Sequence, residues 1–345
     1  MNRFFCQLLA VFFFCLLSAQ PLFAAKHQST FRIAYIEAGP FWLYENTFTA
    51  FKKALATYKD ITPKYVEYYS NGWTTPDEVL KKKAQALSER KDIDLVIAAG
   101  TAASKAMQAA TNKNIPVIGI GIADPVAAGL VRLDDNTGAP NFICRVTPDR
   151  WKNMYRVFYE VVRFKKLGLM YSKGEYGKLY AAVPEAKQVA KELGFSLVIQ
   201  EIDDESTKSC NDGLKKLAQK GADAFFMGPL LCFDWSLEDI TPTMDYINNE
   251  LKLPTFARDG SAFVQGGALM GFASWNIAPT GRRLASMAHQ IYKGKPLNRI
   301  AMRDTTEPTI AVNLNTALKV NVDLPLDLLI VADEIYENTS RPSFD

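Results

Sequence analysis

Short apolar runs and amphipathic stretches alternate along this chain, and the alternation runs through twice. The run Leu95-Val96-Ile97-Ala98-Ala99 has the unbroken apolar character of a strand buried on both faces of a parallel sheet. Around it the pattern predicts strands over 31–36, 64–69, 93–99 and 115–121, with helices over 47–58, 75–90 and 101–111 between them. Thr75-Pro76-Asp77-Glu78 reads as a helix start, with Thr75 as cap and Glu78 closing a capping box. Val79, Leu80, Ala84 and Leu87 should face inward. After Cys144 the pattern restarts. Helices are expected over 149–164, 179–193, 211–220, 241–251 and 279–293, and strands over 167–171, 195–202, 224–227, 254–257 and 268–272. Two such runs imply an α/β chain of two doubly wound parallel-sheet lobes. Ligands of such sheets bind beyond the carboxyl ends of the strands, so two facing lobes make one cleft.

Candidate binding residues are those that the pattern delivers to strand ends. Gly100-Thr101-Ala102-Ala103 follows a buried strand and opens a helix. Gly100 permits close backbone approach, and the first-turn amides of such a helix can hold an anion such as a carboxylate. The alternative is an ordinary strand–helix turn with Thr101 as cap. Asp124 follows the next buried strand and precedes Pro125. It either accepts from an ammonium or amide group, or starts an Asp-Pro turn. Phe41, Trp42 and Tyr44 follow the first strand, either as a stacking wall or as a hydrophobic plug. In the second half the corresponding positions are Tyr176 in the loop over 172–178, Gly228-Pro229-Leu230, and Arg258-Asp259-Gly260-Ser261. Trp275 follows the strand over 268–272, where the chain should cross back.

The N-terminus has the parts of a secretory signal over residues 1–25. Arg3 is followed by an apolar run from Phe4 to Leu17 and then by small residues, with cleavage expected after Ala24 or Ala25. The run is shorter than the ~20 residues of a spanning helix. An uncleaved anchor is the alternative. Of five cysteines, Cys6 and Cys15 leave with the leader. Cys210–Cys232 is the favoured bridge, since both fall in one lobe; three unpaired buried thiols are the alternative. The cysteine spacing shows no metal pattern. Lys and Arg number 40 against 37 Asp and Glu, so a nucleic-acid role has no support from charge. With His27 and His289 as the only histidines and no G-x-S-x-G, the acid–base inventory for an exported α/β enzyme is thin. A carboxylate pair of Asp124 and Asp259 is the remaining catalytic option. No catalytic residue, metal or cofactor is expected.

Three segments in order carry a resemblance: Gly100-Thr101-Ala102-Ala103, then Asp124-Pro125-Val126-Ala127-Ala128-Gly129-Leu130-Val131, then Asp259-Gly260-Ser261 with Gly267-Ala268-Leu269. The tail Val312-Asn313-Leu314-Asn315-Thr316-Ala317 and Ala332-Asp333-Glu334 fits as well. Together they resemble the ABC-transporter substrate-binding family that includes tryptophan/tyrosine binders, of type I periplasmic-binding-protein fold. The resemblance implies three hinge crossings. The first lobe would take 31–144 and 275–302, and the second 145–274 and 303–340. It also implies that Thr101 and Ala102 hold a ligand carboxylate and that Asp124 lies beside the ligand. The second lobe departs from the family: Gly228-Pro229 and Gly177-Lys178 stand where polar side chains are expected. The chain therefore reads as a monomeric periplasmic protein that delivers a small aromatic or carboxylate-bearing solute to an ABC permease. A ligand-sensing subunit for a sensor kinase or chemoreceptor is the alternative.

Overall fold

The structure is a computed structural model that describes residues 29–110, 115–132, 140–174, 176–273, 277–306 and 308–342. The region read as the leader and Trp275 lie outside the described residues. Two separate sheets are present. The first contains β1 (Ser29–Glu37), β2 (Ile61–Ser70), β3 (Leu95–Ala99), β4 (Val117–Ile120) and β5 (Phe142–Cys144), all parallel, in the order β2-β1-β3-β4-β5. Three helices alternate with them: α1 (Trp42–Leu55), α2 (Asp77–Ser88) and α3 (Thr101–Ala110). Every residue of β3 and β4 is buried, as expected of central strands covered on both faces.

The second unit opens with α4 (Arg150–Val162) and β6 (Lys166–Ser172), then α5 (Gly177–Tyr180), α6 (Val183–Leu193) and β7 (Ser196–Ile202). It continues with α7 (Thr207–Gln219), β8 (Ala224–Met227), α8 (Thr241–Asp245), β9 (Thr255–Ala257), α9 (Ser261–Gln265) and β10 (Met270–Ala273). The next helix, α10 (Ala278–Tyr292), packs on α1 and gives Leu284, Ala285, Met287 and Ala288 to the first core. The chain then returns as β11 (Thr309–Asn313), α11 (Leu314–Lys319), α12 (Leu326–Val331) and β12 (Glu334–Tyr336). The second sheet has the order β12-β11-β10-β9-β8-β6-β7. Its pairs are parallel except β10–β11, which is antiparallel. Between the sheets, Val146 pairs with Arg303, and its amide donates to the Met302 carbonyl at 3.0 Å. Two crossing segments therefore run side by side.

Several expectations are corrected. α1 begins at Trp42, five residues before the expected start, because its aromatic first turn is held by packing rather than by a cap: no side chain caps it. No capping box closes at Thr75; Pro76 is the N-cap of α2, without a side-chain bond. Val79 is 43% exposed, so the buried stripe is Leu80, Ala84 and Leu87. The helix expected over 179–193 is broken, with Ala182 at φ 47° between α5 and α6. The helix expected over 241–251 is α-helical only to Asp245 and continues as a π-helix to Leu251. Among the described residues no helix is long and apolar enough to cross a membrane.

Candidate functional site

The two sheets share one strand order. Counting β6 as the first strand of its unit, β7-β6-β8-β9-β10 repeats β2-β1-β3-β4-β5. In this order the chain reverses direction between its first and third strands, and a crevice opens there. In the first lobe that crevice lies between the ends of β1 and β3, where Glu37 and Gly100 stand. In the second it lies between the ends of β6 and β8. A small cavity sits at the second crevice, lined by Met170, Ser172, Gly177, Tyr180, Glu205 and Pro229 among others.

On the first-lobe wall, Gly100 has φ 87°, a conformation that side-chain-bearing residues rarely adopt. A Cβ there would lie 2.6 Å from the Tyr44 hydroxyl, so glycine is required by this ring as well as by the turn. Thr101 is 1% exposed, and its Oγ1 accepts the Ala123 amide at 3.3 Å. The same side chain lies near enough to Tyr180 of the second lobe to lower the pKa of its phenol. Thr101 thus ties two strand-end loops and neighbours the second lobe. Ala102 is half-buried beside it. Asp124 Oδ1 accepts the amides of Val126 and Ala127, each at 2.9 Å. That is the turn-starting role, and it occupies one carboxylate oxygen.

The aromatics of the first turn of α1 divide. Tyr44 stays with the first lobe and meets Phe41 edge-on at 5.2 Å. Trp42 instead belongs to a second-lobe core cluster with Met170, Leu230 and Phe263, and Phe41 packs against both lobes. The start of α1 is therefore a wedge between the lobes, and Trp42 and Tyr44 are helical rather than in a loop.

On the second-lobe wall, Tyr176 stacks on Tyr180 at 5.8 Å and receives Lys105 of α3 over its ring at 5.0 Å. Gly177 is fixed by packing: a Cβ would lie 1.9 Å from the Ser172 carbonyl oxygen. Lys178 is exposed. Gly228 is buried and accepts the Leu230 amide at 3.0 Å. Asp259 is buried against its neighbour, with Arg258 Nε donating at 2.7 Å. Arg258 Nη1 also donates to the Tyr180 carbonyl at 2.9 Å. The Ser261 hydroxyl, fully buried at the start of α9, has no hydrogen-bond partner among the described residues. Asp234 lies near Asp259; burial raises its pKa, hydrogen bonds from Ser236 oppose that, and the Asp259 charge raises it further.

The structure sets Phe41 and Trp42 against the second lobe, brings Thr101 near Tyr180 and Lys105 over Tyr176, and gives Asp124 a local turn to hold. Tyr180 is not marked by the sequence, and Arg258 is named there only as a member of the strand-end loop that contains Asp259. Tyr180 falls inside the expected helix over 179–193, so nothing marked it. Arg258 carries the same signal as Asp259, a strand-end position. Among the described residues no group of three metal-ligating side chains occurs.

A family model for ABC transporter substrate binding proteins matches residues 44–336. A tyrosine-binding protein of Clostridioides difficile (strain R20291) is 25% identical over 230 residues, 67% of this chain. The match spans 63% of that relative's own length, which is less than two thirds. Among solved structures, an ABC domain in complex with L-Trp from Streptococcus pneumonia superposes with a TM-score of 0.70 at 18% identity, over 88% of this chain and 99% of that one. A ligand-free, open substrate binding protein with adhesive properties from Clostridium difficile gives 0.60 at 22% identity, over 89% and 99%. At these identities the structural likeness speaks for the fold, which is the type I periplasmic-binding-protein fold. The family is one of solute binding rather than catalysis. By the extent of the family match, this chain belongs to the ABC transporter substrate binding proteins.

Proposed function

We propose that the protein captures a small aromatic, carboxylate-bearing solute between its lobes and delivers it to an ABC permease after export to the periplasm. The observation that carries this reading is the meeting of the two lobes at the start of α1, where Phe41 packs on both cores and Trp42 joins the second, with Thr101 near Tyr180. In this reading residues 31–144 and 275–302 move as one monomeric body against 145–274 and 303–340. Closure then brings Thr101 and the α3 amides to the ligand's anionic group, and Phe41, Trp42 and Tyr176 to its apolar body. The tyrosine-binding relative and the L-Trp-bound neighbour favour an aromatic ligand.

The second lobe argues for a departure from a free amino acid. Gly177 and Gly228 offer no side-chain group, and Pro229 lacks an N–H. An ammonium left unpaired there costs more than the ~1–3 kcal/mol of a neutral group. The Ser261 hydroxyl at the start of α9 has no hydrogen-bond partner among the described residues. Calorimetric titration with tryptophan, tyrosine and phenylalanine, beside the same skeletons lacking the amino group, tests the reading. Binding of the deaminated acids supports it. Tight binding of the amino acids alone overturns the departure, and binding of neither class overturns the aromatic carboxylate.

A further inference from the structure

Three guanidiniums gather where the chain first enters the second lobe. Arg145 is paired with Asp304 at 2.6 Å and Arg258 with Asp259 at 2.7 Å. Arg150 has no carboxylate or carbonyl partner among the described residues. Its contact is with the Trp151 indole, 5.3 Å from the ring centre, and Arg258 lies over the same indole at 5.1 Å. Of the three, Arg150 is the one without a paired carboxylate among the described residues.

Topology places Arg150 at the cleft. α4 leads to the start of β6, so its first turn lies at the carboxyl ends of the second sheet. The local environment disfavours a cation here. Positive charge in the first turn of a helix opposes the helix dipole, and this first turn contains no acidic residue. Burial, then the charges of Arg258 and Arg145, pull the Arg150 pKa below the arginine range, with Asp259 opposing. A guanidinium held beside two others at a strand end, with an indole rather than a carboxylate as its contact, marks a site whose partner comes from outside the chain.

We propose that Arg150, with the first-turn amides of α4, is the second lobe's anchor for the anionic group of the ligand. The chemistry is that of a planar guanidinium with its donors available, which matches a carboxylate in two parallel hydrogen bonds. This rests on the solute-binding reading above and adds to it the group that the second lobe recognises. It also gives a reason for the glycine at 228: polar recognition in this lobe moves to the start of α4.

The test uses probe pairs that differ in charge alone: indole-3-acetate with indole-3-acetamide, and L-tryptophan with L-tryptophanamide. Each is titrated calorimetrically into wild type, Arg150→Gln and Arg150→Lys. Arg150→Gln should lose about 10- to 100-fold for a bound acid and nothing for its amide. Arg150→Lys should recover part of that loss. Equal acid affinity in wild type and Arg150→Gln overturns the proposal. A wild type that binds none of the four probes counts against the aromatic-carboxylate reading instead. The Arg150 proposal is then decided on the unliganded protein, where removing a cation that burial and two neighbouring guanidiniums disfavour should raise Tm by a few degrees. A lower Tm for Arg150→Gln makes the side chain a structural one and overturns the proposal.

Discussion

The Tyr180 phenol of the second lobe lies beside the Thr101 side chain of the first, which acts on its pKa. Burial pushes the Tyr180 pKa up to about 12, against the lowering effect of Thr101, so the hydroxyl keeps its proton at neutral pH. A contact that exists only when the lobes meet stabilises the closed form. Tyr180→Phe removes it at a cost of ~1 kcal/mol. The closed population falls accordingly, and the apparent Kd for an aromatic acid should rise about fivefold. Calorimetry on the variant checks this; an unchanged Kd would separate the contact from closure.

The hinge carries an acid-sensitive tie. Burial opposes ionisation of Asp304, yet hydrogen bonds from Thr306 and Arg145 outweigh it and lower its pKa from 3.8 to about 2. Thr306 Oγ1 and Arg145 Nε each donate at 2.6 Å. A carboxylate with a depressed folded pKa contributes stability that is full above the unfolded value and lost as pH falls through the folded one. The window here is about pH 4 to 2. Asp304→Asn should lower Tm at pH 7 and flatten its fall across that window. Parallel Tm–pH curves for the two proteins would show that the tie adds nothing.

How much could be read from the sequence depended on whether the deciding contacts were local. Strands β3, β4 and β8 were legible because burial on both faces leaves an unbroken apolar run. Gly100-Thr101 was legible because a buried strand must hand over to its helix there. The start of α1 was not, because Trp42 is held by second-lobe residues such as Met170 and Phe263, far away in the chain. The break at Ala182 carries no glycine, and its only signal is Pro184 in the first turn of α6. Strands β11 and β12 lie at one end of the sheet and are partly exposed, so their patterns are weak. Arg150 was silent because an arginine at a helix start reads as a solvated residue.

Gly177 has a role that residue type alone does not reveal. As a glycine it reads as the loss of a ligand contact, yet a Cβ at this position would come within 1.9 Å of the Ser172 carbonyl oxygen, which makes glycine a packing requirement. The obstacle is backbone at the end of β6 and cannot rotate away. Gly177→Ala should therefore displace α5, lower Tm by several degrees and weaken binding at the adjoining cavity, at a cost of about 1–3 kcal/mol. Wild-type Tm and affinity in the variant would mean that α5 moves freely and does not set the cavity wall.

Cys210 and Cys232 are bridged, with Cα atoms 6.5 Å apart, and Cys144 is buried as a free thiol. The bridge joins α7 to the short turn after Leu230, which also lines the second-lobe cavity. It therefore pins the loop leaving β8 as well as closing a chain segment of 22 residues. Closing a loop of that length stabilises the fold by about 3 kcal/mol, mainly by restricting the unfolded chain. Reduction, or Cys210→Ser with Cys232→Ser, should lower Tm by several degrees and weaken ligand binding, since the cavity loop loses its anchor. Thiol titration checks the pairing directly on protein lacking residues 1–25. The native protein should show no reactive thiol, the denatured protein one, and the denatured and reduced protein three. Three thiols without reductant would mean that the bridge does not form.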